Sequence, residues 1–309
     1  MSEMGAQMGT MRTKNRMLIV GGTGGTGSWF ASYFKDHGFL VSVWGPSGRV
    51  EVAERLGVRF ASDLMGEVSE SDIVLLSVPI KETARVVEKI APWMKPGSLL
   101  MDVTSLKSEP MRAMLRWAPE GVEILGTHPM FGPTIPHIRG QTVILVPAEG
   151  RCDAWLSPME EIFRKDGARV EVLGAEEHDH IMAVVQALTH FAYISIGSAL
   201  ESLDFDVAHS RRFMSPVYEI MIDFVGRILA QSPELYASIQ ENPEAKRVRE
   251  VYIEECKRLA MLADAGDLAG FQEAMKSAAD HFQGTEEALA RSDKLISLWI
   301  DNREGGRRG

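Results

Sequence analysis

Two hydrophobic patterns divide the chain. Up to about residue 174, short apolar runs at 17–20, 40–44, 73–78, 98–103, 122–126, 142–146 and 169–173 recur between segments of helical period. Most of these runs are continuous rather than alternating, as in strands covered on both faces, so they predict an α/β layer with a largely parallel sheet. Beyond Gly174 the period is helical throughout, with helices expected over 176–203, 207–230, 233–240, 243–265 and 267–300. Turn signals separate them at Asp204-Phe205-Asp206, Ser232-Pro233, Asn242-Pro243 and Ala265-Gly266-Asp267. Long amphipathic helices need apolar partners; a homodimer built through this half is the default, and a self-contained bundle is the alternative.

The first run leads directly into Gly22-Thr23-Gly24-Gly25-Thr26-Gly27, which opens a helix expected near residues 28–37. In this GxGxxG the first glycine makes the tight turn, the second lets the backbone approach a pyrophosphate, and the third lets helix and strand pack. Thr26 and its neighbours then present free helix N-terminal N–H groups to phosphate. Gly-rich turns also occur without a ligand, but here a strand precedes, a helix follows and a second strand comes next. The expected architecture is an N-terminal Rossmann-type dinucleotide-binding domain over 17–174 and a C-terminal all-helical domain over 175–300, flanked by disordered tails at 1–16 and 301–309.

At the end of the second strand, Trp44-Gly45-Pro46-Ser47-Gly48-Arg49 lacks the acid that would hold the ribose hydroxyls of NAD. Ser47 and Arg49 offer a hydroxyl and a guanidinium to a 2′-phosphate instead, which favours NADP, with NAD as the alternative; a solvated loop arginine is the plainer reading of Arg49. Asp102-Val103-Thr104-Ser105-Leu106-Lys107 follows the strand at 98–103, placing Ser105 on the same carboxyl edge of the sheet. Thr104 or Ser105 also suits the N-cap of a helix at 107–117. Behind the strand at 122–125 comes Gly126-Thr127-His128-Pro129-Met130-Phe131-Gly132-Pro133, about 100 residues beyond the glycine turn. A histidine on an apolar face is usually a satisfied core residue, yet one set at a strand's carboxyl end beside the expected crevice is a candidate base.

Composition narrows the partners. The 309 residues are 45% hydrophobic and 25% charged, an ordinary globular balance with room for two cores. Of the net charge of −10, residues 1–174 contribute little, with 19 Lys/Arg against 20 Asp/Glu, whereas residues 175–309 hold 14 against 23. Nucleic acid is therefore not an expected partner. Cys152 and Cys256 form no CxxC or Cys/His cluster, so neither a disulfide framework nor a zinc site is expected, and a reducing cytoplasm fits. His178, His180 and His190 lack metal-ligand spacing, so no metal is expected. The N-terminal segment has no apolar core of the signal-peptide kind, and no run is read as long enough to cross a bilayer.

With these motifs in hand, the chain resembles the prephenate dehydrogenase family of tyrosine biosynthesis, most closely the dehydrogenase part of bifunctional chorismate mutase–prephenate dehydrogenases. The likeness runs from about residue 17 to 300. It rests on the glycine turn, DxxSxK at 102–107, GTHPMFGP at 126–133, EHD with QALTHF between 177 and 191, Ser215-Pro216-Val217-Tyr218, and GRxxAQxPxLY from 226 to 236. The resemblance implies that His128 accepts the hydrogen bond and then the proton of the substrate's C4 hydroxyl, that Ser105 supports it, that Arg227 grips a substrate carboxylate, and that His190 lines the crevice. Where some relatives carry a basic residue eight positions before that arginine, this chain has Glu219; Arg211 or Arg212 is then the candidate for the second carboxylate.

Prephenate and arogenate, which differ in the side chain, are both open as substrates. A non-catalytic dinucleotide sensor would be expected to lack Ser105, His128 or Arg227, all present here. A dehydrogenase of simple 3-hydroxy acids would be expected to carry a lysine where this chain has His178, His180 and His190.

Overall fold

The computed structural model describes residues 15–305, with side chains through Asp301. The expected tail at 1–16 lies outside the described residues save Asn15 and Arg16, and Arg16 opens the first strand; residues 306–309 also lie outside. The chain divides between Met182 and Ala183 into two compact units.

The first unit is an eight-stranded sheet. Its strands are β1 (Arg16–Val20), β2 (Leu40–Trp44), β3 (Arg59–Phe60), β4 (Ile73–Leu76), β5 (Leu99–Asp102), β6 (Glu123–Pro129), β7 (Thr142–Pro147) and β8 (Arg169–Val172). The spatial order is β3-β2-β1-β4-β5-β6-β7-β8. The chain winds outward from β1 to β3, then restarts at β4 on the other side of β1, so the order reverses beside the turn that leaves β1. Such a switch point is where doubly wound sheets open a ligand crevice.

Helices α1 (Gly25–Asp36), α2 (Val50–Leu56), α3 (Leu64–Glu70), α4 (Ile80–Ile90), α5 (Ser108–Trp117), α6 (Leu156–Lys165) and α7 (Ala175–Met182) complete the unit. Burial follows the strand period of two: Met17 and Ile19 join one core with Phe30 and Phe34, while Leu18 and Val20 join another with Val87, Met111 and Met114. Both faces of the central strands are thereby removed from water, which explains the unbroken apolar runs.

Two features depart from the sequence expectation. β3 is only two residues long and leaves no readable pattern. β6 runs on to Pro129 and pairs antiparallel with β7, His128 opposite Ile144, so His128 lies within a strand rather than behind one. The chain returns from β6 to β7 through a loop, not a crossover helix, and the extended pairing carries through the histidine.

In the second unit a π-turn (Ala183–Leu188) leads to α8 (Thr189–Ser202), followed by α9 (Val207–Ser210), α10 (Pro216–Leu229), α11 (Pro233–Ile239), α12 (Ala245–Asp264), α13 (Leu268–Phe282) and α14 (Thr285–Gly305). Two helices expected as single are each broken. The segment expected at 207–230 stops after Ser210 and restarts where the Ser215 hydroxyl accepts the Tyr218 N–H at 3.2 Å, with Pro216 in the first turn. The segment expected at 267–300 breaks at Gln283 and Gly284, whose φ values of 53° and 64° are left-handed. α14 also carries past the expected end at 300.

A further expectation changes as well. The helical stretch Ala175–Ser202 has a mean hydropathy of 1.4 over its most apolar window and is, by length and composition, apolar enough to cross a membrane. Gln186, Thr189 and His190 interrupt its apolar run. Within α8 no residue is buried.

Candidate active site

The site is built first from the glycine turn. The left-handed residue is Gly21, one position ahead of the fingerprint, with φ +85°. A Cβ on Gly21 would stand 2.1 Å from the Ser77 carbonyl oxygen, and one on Gly22 would stand 2.6 Å from Val43 Cγ1. Gly27 is equally constrained, whereas a Cβ on Gly24 would meet only the Gly21 carbonyl oxygen, at 3.3 Å. The first glycine is thus packed against β2 and the last against the backbone of the turn itself, while Gly24 between them is open, as an approaching pyrophosphate requires. Gly24 caps α1 without a side-chain bond, leaving the first N–H groups at Gly25, Thr26 and Gly27 for an anion. Ser47 and Arg49 lie exposed beyond β2, the Arg49 Nε donating to the Ser47 hydroxyl at 3.2 Å.

The segment after β6 returns to this turn. A Cβ on Gly25 would stand 3.2 Å from Pro133 Cγ. Trp29 of α1 donates its indole N–H to the Ile135 carbonyl at 3.0 Å, and its ring lies 5.1 Å from Phe131. The register sets Asp102 of β5 beside Gly126 of β6, so His128 projects past the end of β5 on the edge where Ser105 lies. Ser105 is half-buried and makes no protein hydrogen bond among the described residues.

His128 is 2% exposed. Its Nδ1 lies 2.8 Å from His178 Nε2, and His178 Nδ1 lies 2.8 Å from Asp179 Oδ1. Asp179 also accepts the backbone N–H of Lys107 at 2.8 Å and of Ser108 at 2.9 Å. It therefore caps α5, in place of Thr104 or Ser105, because those residues stay outside the helix. The Thr104 hydroxyl instead donates within its own loop, where Asp102 and the Leu106 carbonyl are its neighbours. Lys107 is fully buried; its ammonium pairs with Asp102, and its stem passes so near Gly126 that a Cβ there would stand 2.9 Å from Lys107 Cδ. Met111 crowds the same point, so the first glycine of GTHPMFGP makes room for a buried cation.

These surroundings set the charges. Burial, then the His178 ring, then the Lys107 ammonium hold the His128 imidazole well below its ordinary range, with Asp179 opposing them. Asp179 is pulled down to about 2: burial would raise it, and the hydrogen bonds from His178, Ser108 and Lys107 outweigh that. The neutral His128 imidazole, separated from a fixed carboxylate by the His178 ring, is a proton acceptor held ready in the uncharged form.

The remaining predicted residues lie in the helical unit. The His190 ring meets Tyr236 edge-on at 4.7 Å; its buried Nδ1 and the buried Gln186 Oε1 have no hydrogen-bond partner among the described residues. Burial lowers the His190 pKa and raises that of Tyr236, the latter opposed by the Arg227 charge. Arg227 is exposed, Arg211 pairs with Asp223 at 3.1 Å, and the Arg212 guanidinium lies 5.9 Å from the Phe213 ring centre. Sequence reasoning missed His178, Asp179 and Lys107 as partners of His128, although each belongs to a motif it had singled out. Among the described residues no group could hold a metal ion.

Switch point, open glycine turn and buried neutral imidazole define a dinucleotide-dependent oxidoreductase. The profile of the prephenate dehydrogenase nucleotide-binding domain matches residues 30–172, and that of the prephenate dehydrogenase dimerization domain matches residues 174–277. The chain belongs to the prephenate dehydrogenase family, and its nucleotide-binding domain supports a nicotinamide dinucleotide as cofactor. It is 45% identical over 290 residues to the probable arogenate/prephenate dehydrogenase of Methanocaldococcus jannaschii, covering 92% of this chain; it spans 65% of that protein's length. It is 31% identical over 300 residues to the T-protein of Haemophilus influenzae, covering 94% of this chain and 74% of that one. The fold is that of the prephenate dehydrogenase of A. aeolicus, solved with hydroxyphenyl propionate and NAD+, at a TM-score of 0.70 and 20% identity over 85% of this chain and 96% of that one.

Proposed function

We propose that this chain is a prephenate dehydrogenase that oxidatively decarboxylates prephenate to 4-hydroxyphenylpyruvate, with NADP as its preferred cofactor. The buried, neutral His128 on the carboxyl edge of a dinucleotide-binding sheet carries this reading. The fit of the cofactor rests on the glycine turn: Gly22, Gly24, Gly25, Thr26 and Gly27 would hold the pyrophosphate, and Ser47 with Arg49 the 2′-phosphate. When bound, the oxidised nicotinamide supplies the hydride acceptor for C4 of the substrate.

His128 takes the C4 hydroxyl proton as that carbon is oxidised. The C1 carboxylate leaves as carbon dioxide, its bonding pair completes the aromatic ring, and the imidazolium returns the proton to the phenolate oxygen. Because aromatisation drives the step, the protein has only to supply a base and hold the substrate in place. Ser105 is assigned to the hydroxyl beside that base. Arg227 is assigned to a substrate carboxylate, for which a planar fork of donors is suited, and His190 with its unpaired Nδ1 to the substrate's polar side chain.

The helical unit is assigned to a homodimer. α8 buries none of its residues in the single chain, and Val217, Phe224 and Leu229 of α10 are exposed, a continuous apolar demand that a second copy would meet. Both cysteines are free thiols, which suits a reducing cytoplasm.

The test is an absorbance assay of the reduced nicotinamide with prephenate and with arogenate, each offered NAD and NADP. The proposal expects turnover with prephenate and a higher kcat/KM with NADP. Turnover with arogenate alone would overturn the substrate, and a preference for NAD would overturn the cofactor.

A further inference from the structure

The hydrogen bonds that converge on Asp179 determine where the protons of two buried imidazoles lie. Asp179 is an ionised carboxylate and can only accept. Its Oδ1 faces His178 Nδ1 at 2.8 Å, so that nitrogen carries a hydrogen. In neutral His178 the other nitrogen, Nε2, is then a bare acceptor. It lies 2.8 Å from His128 Nδ1, which must donate to it. The hydrogen of neutral His128 is therefore on Nδ1, and the lone pair is on Nε2, which meets no hydrogen-bond partner among the described residues.

We propose that Asp179 and His178 are positioning residues that lock His128 into the Nδ1–H form, so that Nε2 is the atom that receives the substrate proton. The proposal rests on the assignment of His128 as base. A free imidazole interchanges its two neutral forms; here, with His178 neutral, one form alone satisfies every group in the row. Asp179 is itself immobilised by the backbone N–H groups of Lys107 and Ser108, so the first turn of α5 sets the orientation of the whole row. With His178 neutral, the charges facing His128 are those of Lys107 and Asp179, the His178 ring lies between His128 and Asp179, and Lys107 is paired with Asp102. An imidazolium formed on His128 would gain from the Asp179 charge only through the intervening ring, which keeps the neutral form dominant until the substrate proton arrives.

Nitrogen-15 spectra of histidine-labelled protein read the ring protonation directly and need no turnover. They should show both His128 and His178 with hydrogen on Nδ1; hydrogen on His128 Nε2 at neutral pH would overturn the proposal. Asp179→Asn turns the acceptor into a group that can donate. It should shift His128 toward the Nε2–H form and lower kcat by roughly 10²-fold or more, with the KM for prephenate little changed. His178→Gln places an amide oxygen to accept from His128 and an amide N–H to donate to Asp179, so it should recover at least about 10-fold in kcat over His178→Leu. Equal losses in the two His178 variants at equal melting temperature would show that the ring only fills space. If His128→Asn itself turns over normally, the base assignment fails while the spectra still report the tautomer, so the two failures are told apart.

Discussion

Gly27 and Gly21 approach so closely that a Cβ on Gly27 would stand 2.4 Å from the Gly21 carbonyl oxygen. The contact is backbone against backbone, so no side-chain rotation can relieve it. Gly27→Ala should therefore destabilise the fold by about 1–3 kcal/mol. Gly24→Ala meets only one atom, at 3.3 Å, and should leave the melting temperature nearly unchanged while weakening the dinucleotide. Thermal melts with and without cofactor separate the two; equal melting losses would mean that Gly24 is a packing residue as well.

His128→Asn should lower kcat by roughly 10²-fold or more, the range usual for a general base, and leave the affinity for prephenate little changed. The acid limb of kcat/KM in the parent should fall below the ordinary histidine range, because burial, His178 and Lys107 all lower the imidazole pKa. The sign for stability is the same. The unfolded chain takes up a proton at its normal histidine pKa while the folded one does not, so stability is full above that value and falls as pH drops below it. A limb at or above the free-histidine value would mean that another group is titrating.

Arg227→Ala should raise the KM for prephenate steeply and leave dinucleotide affinity intact, because a charge-assisted contact is lost from the ground state as well as the transition state. Calorimetry showing unchanged prephenate affinity would shift the anchor to Arg212; Arg211 is the weaker substitute, being paired with Asp223.

Arg49→Ala should weaken NADP and leave NAD nearly untouched. The side chain is exposed and bonded to Ser47, so nothing in the fold depends on it and its loss should not change the melting temperature. Equal weakening of the two cofactors would make it a solvated loop residue.

The sheet was legible because each central strand is buried on both faces and leaves an unbroken apolar run. β3 was not, since two residues carry no period. The continuation of β6 through His128 was hidden by proline and glycine, which normally end a strand, whereas here Pro129 closes the antiparallel pairing with Val143. The helix breaks after Ser210 and at Gln283 were missed because local turn geometry, not hydrophobic period, makes them. In the site, His128 stood out by its motif. Its partners did not, because His178 and Asp179 lie 50 or more residues away in sequence and meet it only through the packing of α7 on α5.

The single carboxylate that caps α5 also ends the row of imidazoles, so local fraying and proton transfer are linked equilibria. Each time the first turn of α5 opens, Asp179 loses the two amides that aim it, and the base is momentarily unspecified. Amide exchange at Lys107 and Ser108 then reports the opened fraction, the molecules in which the base is not aimed. Variants that act only on that turn would be recorded as catalytic defects although they touch neither substrate nor cofactor.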